Sequence, residues 1–254
     1  MTTRPELQAQ ANMLAFSENP YHGRFFVLGM DNTGENAVQI YGVEGRSDHS
    51  RNRVLSYDAT GRVFTEPADP SKMKDPSLII YNAMKERDHG YFVVSNGEQT
   101  DKVVTFGLGV GEYAGEGLFS YQYEPDVPNF TPRITGICFR RGWPSGKCEG
   151  VSFTLAILRK SLWGEACDRH FYTYDHIEPG FGFYISTYTG NGDPLPSFAG
   201  EPRLMPIEGD IKAIAKSYWE AMDTANRVAL AVKFIPLDGK WSRIYVINQY
   251  DKVG

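Results

Sequence analysis

Residues 75–101, DPSLIIYNAMKERDHGYFVVSNGEQTD, form the stretch around which the sequence predicts the fold. Two β-prone runs, 78–83 and 91–95, flank the turn-prone residues 87–90, so this stretch predicts a two-stranded hairpin. Several polar residues lie where these strands meet loops, and scaffolds often hold functional side chains at such positions. They are Tyr81, Asn82, Asn96, Thr100 and Asp101.

A purely structural explanation exists for part of this polar group. Asn96 and Gly97 are typical of a turn, and Asp101 is typical of a helix cap. For any one of these residues alone, the structural explanation is the better one. The density of polar residues in one short window favours a functional site, but it does not name a chemistry.

Composition limits the class of protein. A chain of 254 residues can bury a substantial core, and the absence of repeats and of a clear linker favours one domain over two small ones. The net charge of -5 argues against a general nucleic-acid-binding protein, because affinity for phosphate backbones comes from clustered Lys and Arg. No apolar run approaches the roughly 18 residues of a membrane span. The N-terminus carries no apolar signal core, so we expect a cytoplasmic protein.

Cysteine and histidine spacing predicts no disulfide framework and no metal cofactor. The three cysteines, Cys138, Cys148 and Cys167, are odd in number and lack CxxC spacing. The histidines form no HxH or HExxH pattern. We therefore expect reduced, structural cysteines.

Hydrophobic periodicity predicts both helices and strands. It predicts a helix within residues 1–20 and a more strongly amphipathic helix over 208–224. Five glycines weaken a third helical pattern over 99–121, since each interior glycine costs roughly 1 kcal/mol relative to alanine. Residues 61–76 predict a surface connection. The strands predicted beyond the hairpin are 24–30, 36–43, 134–139, 151–158, 180–188, 227–236 and 241–248.

Arginines and carboxylates near the predicted strand ends are candidates for chemistry. Arg46, Arg51 and Arg53 could bind phosphate or carboxylate through the guanidinium fork, although their spacing equally fits a solvated loop. Glu124 and Arg133 flank a loop-to-strand junction, where they could supply a general base and a charge clamp or form a plain salt bridge. No GxxxxGK[ST] or GxGxxG motif indicates a standard phosphate loop.

Six motifs in a fixed order identify a family resemblance. They are RSDHSRNR at 46–53, YN at 81–82, VVSNGEQTD at 93–101, QYE at 122–124, NFTPRI at 129–134 and YISTY at 184–188. In this order and spacing, the sequence resembles the archaeal-type IMP cyclohydrolase family from about residue 21 to about residue 188. The SNGxxTD and TPRI segments are the most specific of the six.

The resemblance implies a fold and a reaction. The implied fold is α+β, a four-layer αββα sandwich similar to that of the N-terminal-nucleophile hydrolases, but without an N-terminal nucleophile. Family members close formamidoimidazole carboxamide ribonucleotide to IMP with loss of water in de novo purine biosynthesis, with no cofactor. The implied partner is this small purine ribonucleotide, and the implied assembly is a homo-oligomer. Residues 1–254 are expected to form a single domain. Compared with the family pattern, this domain has an N-terminal extension, residues 1–20, and an insertion, residues 140–180.

The resemblance also implies the residues of an active site. The implied catalytic group is Arg53, Tyr81 and Glu124, in which Glu124 could take the amide proton while the other two donate to the oxyanion. Arg46 or Arg133 is the candidate for the phosphate, and Asp101 is equally well explained as structural. The implied substrate-binding residues are Arg46, Asn82, Asn96, Thr100, Asp101, Thr131 and Arg133.

Two other functions stay open on the sequence. An amidohydrolase on the same scaffold would need an N-terminal nucleophile, for which Thr2, or Ser17 after cleavage, is the candidate. A non-catalytic protein that binds a purine ribonucleotide would keep the site without turnover. The fold cannot decide among the three, because one scaffold hosts many functions.

Overall fold

A computed structural model describes residues 2–73, 80–88, 90–106, 112–142 and 148–250 of the chain. The helices are α1 (Arg4–Glu18), α2 (Asp48–Arg51), α3 (Gln99–Phe106), α4 (Glu112–Phe119) and α5 (Ile211–Ala221). The strands are β1 (Arg24–Met30), β2 (Asn36–Glu44), β3 (Val54–Tyr57), β4 (Val63–Glu66), β5 (Asn82–Arg87), β6 (Tyr91–Ser95), β7 (Arg133–Arg141), β8 (Gly150–Lys160), β9 (Cys167–Tyr174), β10 (Phe181–Ser186), β11 (Arg203–Pro206), β12 (Arg227–Pro236) and β13 (Arg243–Asn248). A short 3-10 helix spans Pro70–Lys72.

The strands form two antiparallel sheets. The first has six strands in the order β11-β10-β1-β2-β12-β13, and the second has seven strands in the order β3-β4-β5-β6-β7-β8-β9. The second sheet follows the order of the chain, so each strand pairs with the next one along the sequence. The combination of antiparallel sheets with helices confirms the α+β fold that the resemblance implied.

The two sheets face each other, and helices cover their outer faces. A Cβ atom on Gly136 of β7 would lie 2.7 Å from Phe26 and 2.8 Å from Leu28 of β1, so a glycine is needed where the sheets approach closely. On the outer face of the first sheet, Phe16 of α1 packs edge-on against Phe25, with ring centroids 5.0 Å apart. Helices α3 and α4 cover the second sheet. The layers are therefore helix, sheet, sheet and helix.

Local sequence signals explain the two helices on the first sheet. Helix α1 begins after Thr3, whose side chain and that of Glu6 form a capping box. Helix α5 begins after Asp210, whose carboxylate accepts from the backbone amides of Lys212 and Ala213 at 2.9 and 2.8 Å. Both predicted helices are confirmed. No helix among the described residues is long and apolar enough to cross a membrane.

The central hairpin differs from its prediction in the first strand. Strand β5 begins at Asn82, not at residue 78, and continues to Arg87, while β6 has the predicted bounds. The amide of Gly90 donates to the carbonyl of Arg87 at 3.2 Å, which fits the predicted turn. Residues 78, 79 and 89 lie outside the described residues.

Several elements depart from the predicted pattern because their side chains are polar. Residues 61–76 are not only a surface connection, since β4 lies there and buries Val63 and Thr65 on one face. Strands β3, β9 and β11 were not predicted, and β9 is an edge strand without a fully buried residue. The glycine-rich pattern over 99–121 forms the two helices α3 and α4, and residues 107–111 between them lie outside the described residues. Strands β8 and β9 both lie within residues 140–180.

Candidate active site

A buried ion pair joins the two sheets at one end of the sandwich. Arg24 opens β1 of the first sheet, and Glu124 lies in the segment that leads into β7 of the second. The Arg24 Nη2 atom lies 3.3 and 3.2 Å from the two carboxylate oxygens of Glu124. The two side chains are only 13% and 12% exposed. The amide of Glu124 donates to the carbonyl of Thr131 at 2.8 Å, which holds this segment in place.

The pair has unusual electrostatics for its residue types. Burial raises the pKa of Glu124, and the nearby Arg24 is the largest influence in the opposite direction. Burial alone would lower the pKa of Arg24, but Glu124 and surrounding tyrosines outweigh it, so that pKa lies above its usual value. Arg24 is therefore a fixed positive charge beside a carboxylate that binds protons more readily than an exposed one.

Two tyrosines meet next to this ion pair. The hydroxyl oxygens of Tyr41 and Tyr81 lie 2.7 Å apart. Tyr41 points inward from β2, and Tyr81 directly precedes β5 on the facing sheet. The Tyr81 amide donates to Thr65 Oγ1 at 3.0 Å, and the Thr65 amide donates to the Tyr81 carbonyl at 3.0 Å. These paired bonds to β4 fix the backbone from which the Tyr81 ring projects.

Arg53 lies beside the same tyrosines. Its Nε atom donates to the carbonyl of Ser50 at 2.8 Å, and its Nη2 atom lies 3.4 Å from the carbonyl of Glu44. Burial raises the pKa of Tyr41, and the positive charge of Arg53 is one of the influences that oppose this rise, so Arg53 lies within electrostatic reach of Tyr41. The end of α2 turns the chain so that this arginine is buried rather than solvated.

A stack of aromatic rings leads from the ion pair toward the surface. The Tyr21 and Tyr188 rings stack with centroids 5.9 Å apart, and the Arg46 guanidinium lies 5.1 Å from the Tyr21 centroid. The Tyr188 hydroxyl bonds to Thr131 Oγ1. The Arg46 side chain is exposed and donates to the carbonyl of Gly192 at 3.0 Å. This end of the stack carries an exposed positive charge.

Asn82, Asp101 and Arg133 bind neighbouring side chains. The Asn82 amide donates to both Asp101 carboxylate oxygens, and Lys85 Nζ lies 2.7 Å from the same carboxylate. Asp101 lies inside the first turn of α3 rather than at its cap, so the capping interpretation is wrong. Arg133 donates to Gln99 at 2.9 Å, and its charge, like that of Arg24, opposes the rise that burial causes in the pKa of Glu124.

Asn96 and Thr100 are buried in the protein interior. The Asn96 side chain donates to the carbonyl of Pro132 at 2.9 Å and accepts from the amide of Ile134 at 2.8 Å. The Thr100 hydroxyl donates to the carbonyl of Gly97 at 3.0 Å. Both side chains therefore join the loop before α3 to neighbouring backbone. Their polar atoms are directed at the protein rather than at the space around Glu124.

A family model described as IMP cyclohydrolase-like protein matches residues 21–240. The chain belongs to the IMP cyclohydrolase-like family. The match confirms the resemblance and extends it past residue 188 through α5 and β12. A comparison with curated proteins finds no match to the chain. Helix α1 lies outside the matched residues.

Two residues of the candidate site were not predicted from the sequence. Arg24 and Tyr41 were not candidates, yet both lie between the sheets at the ion pair. The signal was the alternation of strand faces, because Arg24 shares the inward face of β1 with Phe26, and Tyr41 is directly opposite Phe26 in the register. Among the described residues, no three His, Cys, Asp or Glu side chains are grouped as metal ligands.

Proposed function

We propose that the chain is an IMP cyclohydrolase, closing formamidoimidazole carboxamide ribonucleotide to IMP with loss of water in de novo purine biosynthesis. Family membership supports a cyclohydrolase-type activity on a purine nucleotide. The observation that carries the specific reaction is the buried Glu124 carboxylate, held by Arg24 beside the Tyr41–Tyr81 pair and Arg53. It combines a base with hydrogen-bond donors in one water-poor site.

The first step needs a base and a stabilised oxyanion. A carboxamide nitrogen is a poor nucleophile, so its attack on the formyl carbon requires removal of an amide proton. In the proposed step the new C–N bond forms, the amide proton passes to Glu124, and the formyl C=O becomes an alkoxide. Arg53 stabilises the alkoxide, and Tyr81 transfers its hydroxyl proton to it.

The second step releases water and restores the site. The hydroxyl group leaves the carbinolamine carbon and takes the proton held by Glu124, which forms water. The proton on the former formamide nitrogen passes to the Tyr81 phenolate as the ring C=N bond forms. Both side chains then return to their starting protonation states, and the reaction is balanced without a cofactor.

The remaining family positions divide into proposed substrate contacts and proposed structural residues. We assign the phosphate to Arg46, because its guanidinium is exposed beside the Tyr21 ring, whereas the Arg133 side chain is only 12% exposed. Thr131 contacts the aromatic stack and is assigned to the ribose side. Substrate-side contacts are also proposed for Asn82 and Asp101, whereas Asn96 and Thr100 shape the loop that carries the site.

Turnover by the purified protein tests this function. We expect IMP formation from the formyl nucleotide, and a loss of about 10²- to 10⁴-fold in kcat in Glu124→Gln, because the amide cannot act as a base. Glu220→Gln, an exposed carboxylate on α5, is the control and is expected to match the wild type. Undiminished turnover in Glu124→Gln would remove that residue from the mechanism. Saturable nucleotide binding without IMP formation would favour the non-catalytic alternative.

A further inference from the structure

We propose that Tyr41 is a positioning residue that donates a hydrogen bond to Tyr81 and so directs the Tyr81 proton toward the substrate. The inference rests on the proposed cyclisation, in which Tyr81 protonates the alkoxide. Tyr41 belongs to none of the motifs that identified the family. Its role follows from the position of its hydroxyl, 2.7 Å from that of Tyr81.

The sheet holds Tyr41 in one place. Its Cα is paired with that of Phe26 on β1 and with that of Ala231 on β12, so both neighbours in the sheet fix its register. The Tyr41 side chain is fully buried, whereas Tyr81 is 8% exposed. A buried tyrosine between two paired strands cannot turn toward solvent. Tyr81, at the start of β5, retains access to the site.

The surroundings of the two hydroxyls decide which one is the donor. The pKa of Tyr41 is raised well above its usual range, first by burial and then by the neighbouring Tyr81, while Arg24 and Arg53 act in the opposite direction. These three residues are the ionisable groups that influence Tyr41 most strongly. Among the described residues, the Tyr81 hydroxyl is the only hydrogen-bond partner of the buried Tyr41 hydroxyl, so the Tyr41 O–H has no other acceptor and donates to Tyr81. Tyr81 then accepts with a lone pair, and its own O–H is free for another acceptor.

The arrangement assists the proton transfer at Tyr81. When the Tyr81 O–H bond breaks and the alkoxide O–H bond forms, the negative charge moves onto the Tyr81 oxygen. The Tyr41 hydroxyl, which keeps its own proton throughout, stabilises that charge through a hydrogen bond that is stronger to a charged acceptor than to a neutral one. Tyr41 therefore acts through Tyr81 and does not need to touch the substrate.

Kinetics of Tyr41→Phe tests this role. We expect kcat to fall by about ten- to a hundredfold with an unchanged KM, because the lost bond strengthens only in the transition state. Tyr218→Phe is the matched control: this buried hydroxyl bonds to the carbonyl of Pro206 at 2.9 Å in the outer core, and its loss should leave kcat unchanged. Tyr41→Phe combined with Tyr81→Phe should be no slower than Tyr81→Phe alone. Wild-type kcat in Tyr41→Phe, or effects that multiply in the double variant, would overturn the inference.

A second measurement does not depend on turnover. In protein labelled with carbon-13 at tyrosine Cζ, the Tyr81 resonance is assigned by its loss in Tyr81→Phe. We expect that resonance to move in Tyr41→Phe and to stay in place in Tyr218→Phe. An unmoved resonance in Tyr41→Phe would refute the hydrogen bond even if IMP is formed. A moved resonance in a protein that forms no IMP would refute the proposed function and leave the tyrosine contact established.

Discussion

Replacement of Arg24 by methionine is the most informative change at the ion pair. Methionine has a similar length but carries no charge, so it removes the partner of Glu124 without leaving a large cavity. The two side chains are almost completely enclosed, and their atoms lie 3.2 Å apart. The carboxylate of Glu124 would then be buried without its positive neighbour.

The structure sets the sign of the effect. Burial already raises the pKa of Glu124, and Arg24 opposes that rise. An adjacent positive charge lowers the pKa of a carboxyl group, so removal of Arg24 should raise the pKa of Glu124 further. Since only the ionised form can take the amide proton, kcat in Arg24→Met should fall at neutral pH. It should recover about tenfold per pH unit as Glu124 ionises at higher pH.

The assay is a pH profile of IMP formation for the wild type and the variant. We expect the acid limb of the profile to move to higher pH in Arg24→Met. Arg243→Met is the control, because Arg243 lies at the opposite end of the sandwich, near Asn36. Its profile should overlie that of the wild type.

Stability provides an independent check on the same pair. Removal of one partner from a buried ion pair costs about 3 to 5 kcal/mol, whereas replacement of both by neutral groups is close to neutral. Arg24→Met should therefore unfold at lower urea concentration, and Glu124→Gln added to it should restore most of the loss without restoring activity. A variant whose low activity does not rise with pH would refute the idea that Arg24 acts by keeping Glu124 ionised.

Three further predictions concern stability. Burial raises the pKa of Glu44 to about 8, so the wild type loses stability as the pH rises from about 4.5 through 8 and Glu44 ionises in the folded protein. Over that window, the free energy of unfolding of Glu44→Gln in urea melts should rise relative to that of the wild type by about 1.4 kcal/mol per pH unit. Parallel stability curves for the two proteins would contradict this. Lys233→Met removes the ion partner 2.5 Å from Glu86 and should cost about 3 kcal/mol in the same melts, most of it regained with Glu86→Gln. Asp210→Ala removes the cap of α5 and should cost about 1 kcal/mol, whereas Asp210→Asn should cost less.

Most of the central strands could be predicted from the sequence because their apolar runs are long and uninterrupted. Strand β12 has the predicted bounds, and the predicted run at 151–158 lies wholly within β8. Strand β9, CDRHFYTY, could not be predicted in this way, because an edge strand needs only one neighbour and buries little. Strand β4 is short, and one of its two buried residues is Thr65, so apolar periodicity misses it.

For the candidate site, motifs in the sequence could indicate residue types, but not the strand faces on which the residues lie. Motifs pointed to Glu124 and Tyr81, yet the partners that set their chemistry, Arg24 and Tyr41, come from strands of the other sheet. Their importance depends on which side of a strand they occupy and on how the two sheets are stacked, and neither is visible in a local pattern. For Asp101, the sequence offered a helix cap as the structural explanation. In the structure, its carboxylate instead accepts from Asn82 and Lys85 on β5.

The two buried ion pairs between the sheets differ in how the cation is bonded. At Lys233, the ammonium bonds to Glu86 and to the Gly61 carbonyl at 2.8 Å, and Ser242 donates to the same carboxylate at 2.9 Å. Protein groups on all sides hold that pair, and Lys233 is inaccessible. Arg24 differs, because within the described part of the chain its Nε atom has no hydrogen-bond partner. Other buried arginine Nε atoms of the described residues, those of Arg133 and Arg159 among them, also lack a partner, so this feature supports a ligand site only together with the adjacent carboxylate and tyrosine pair.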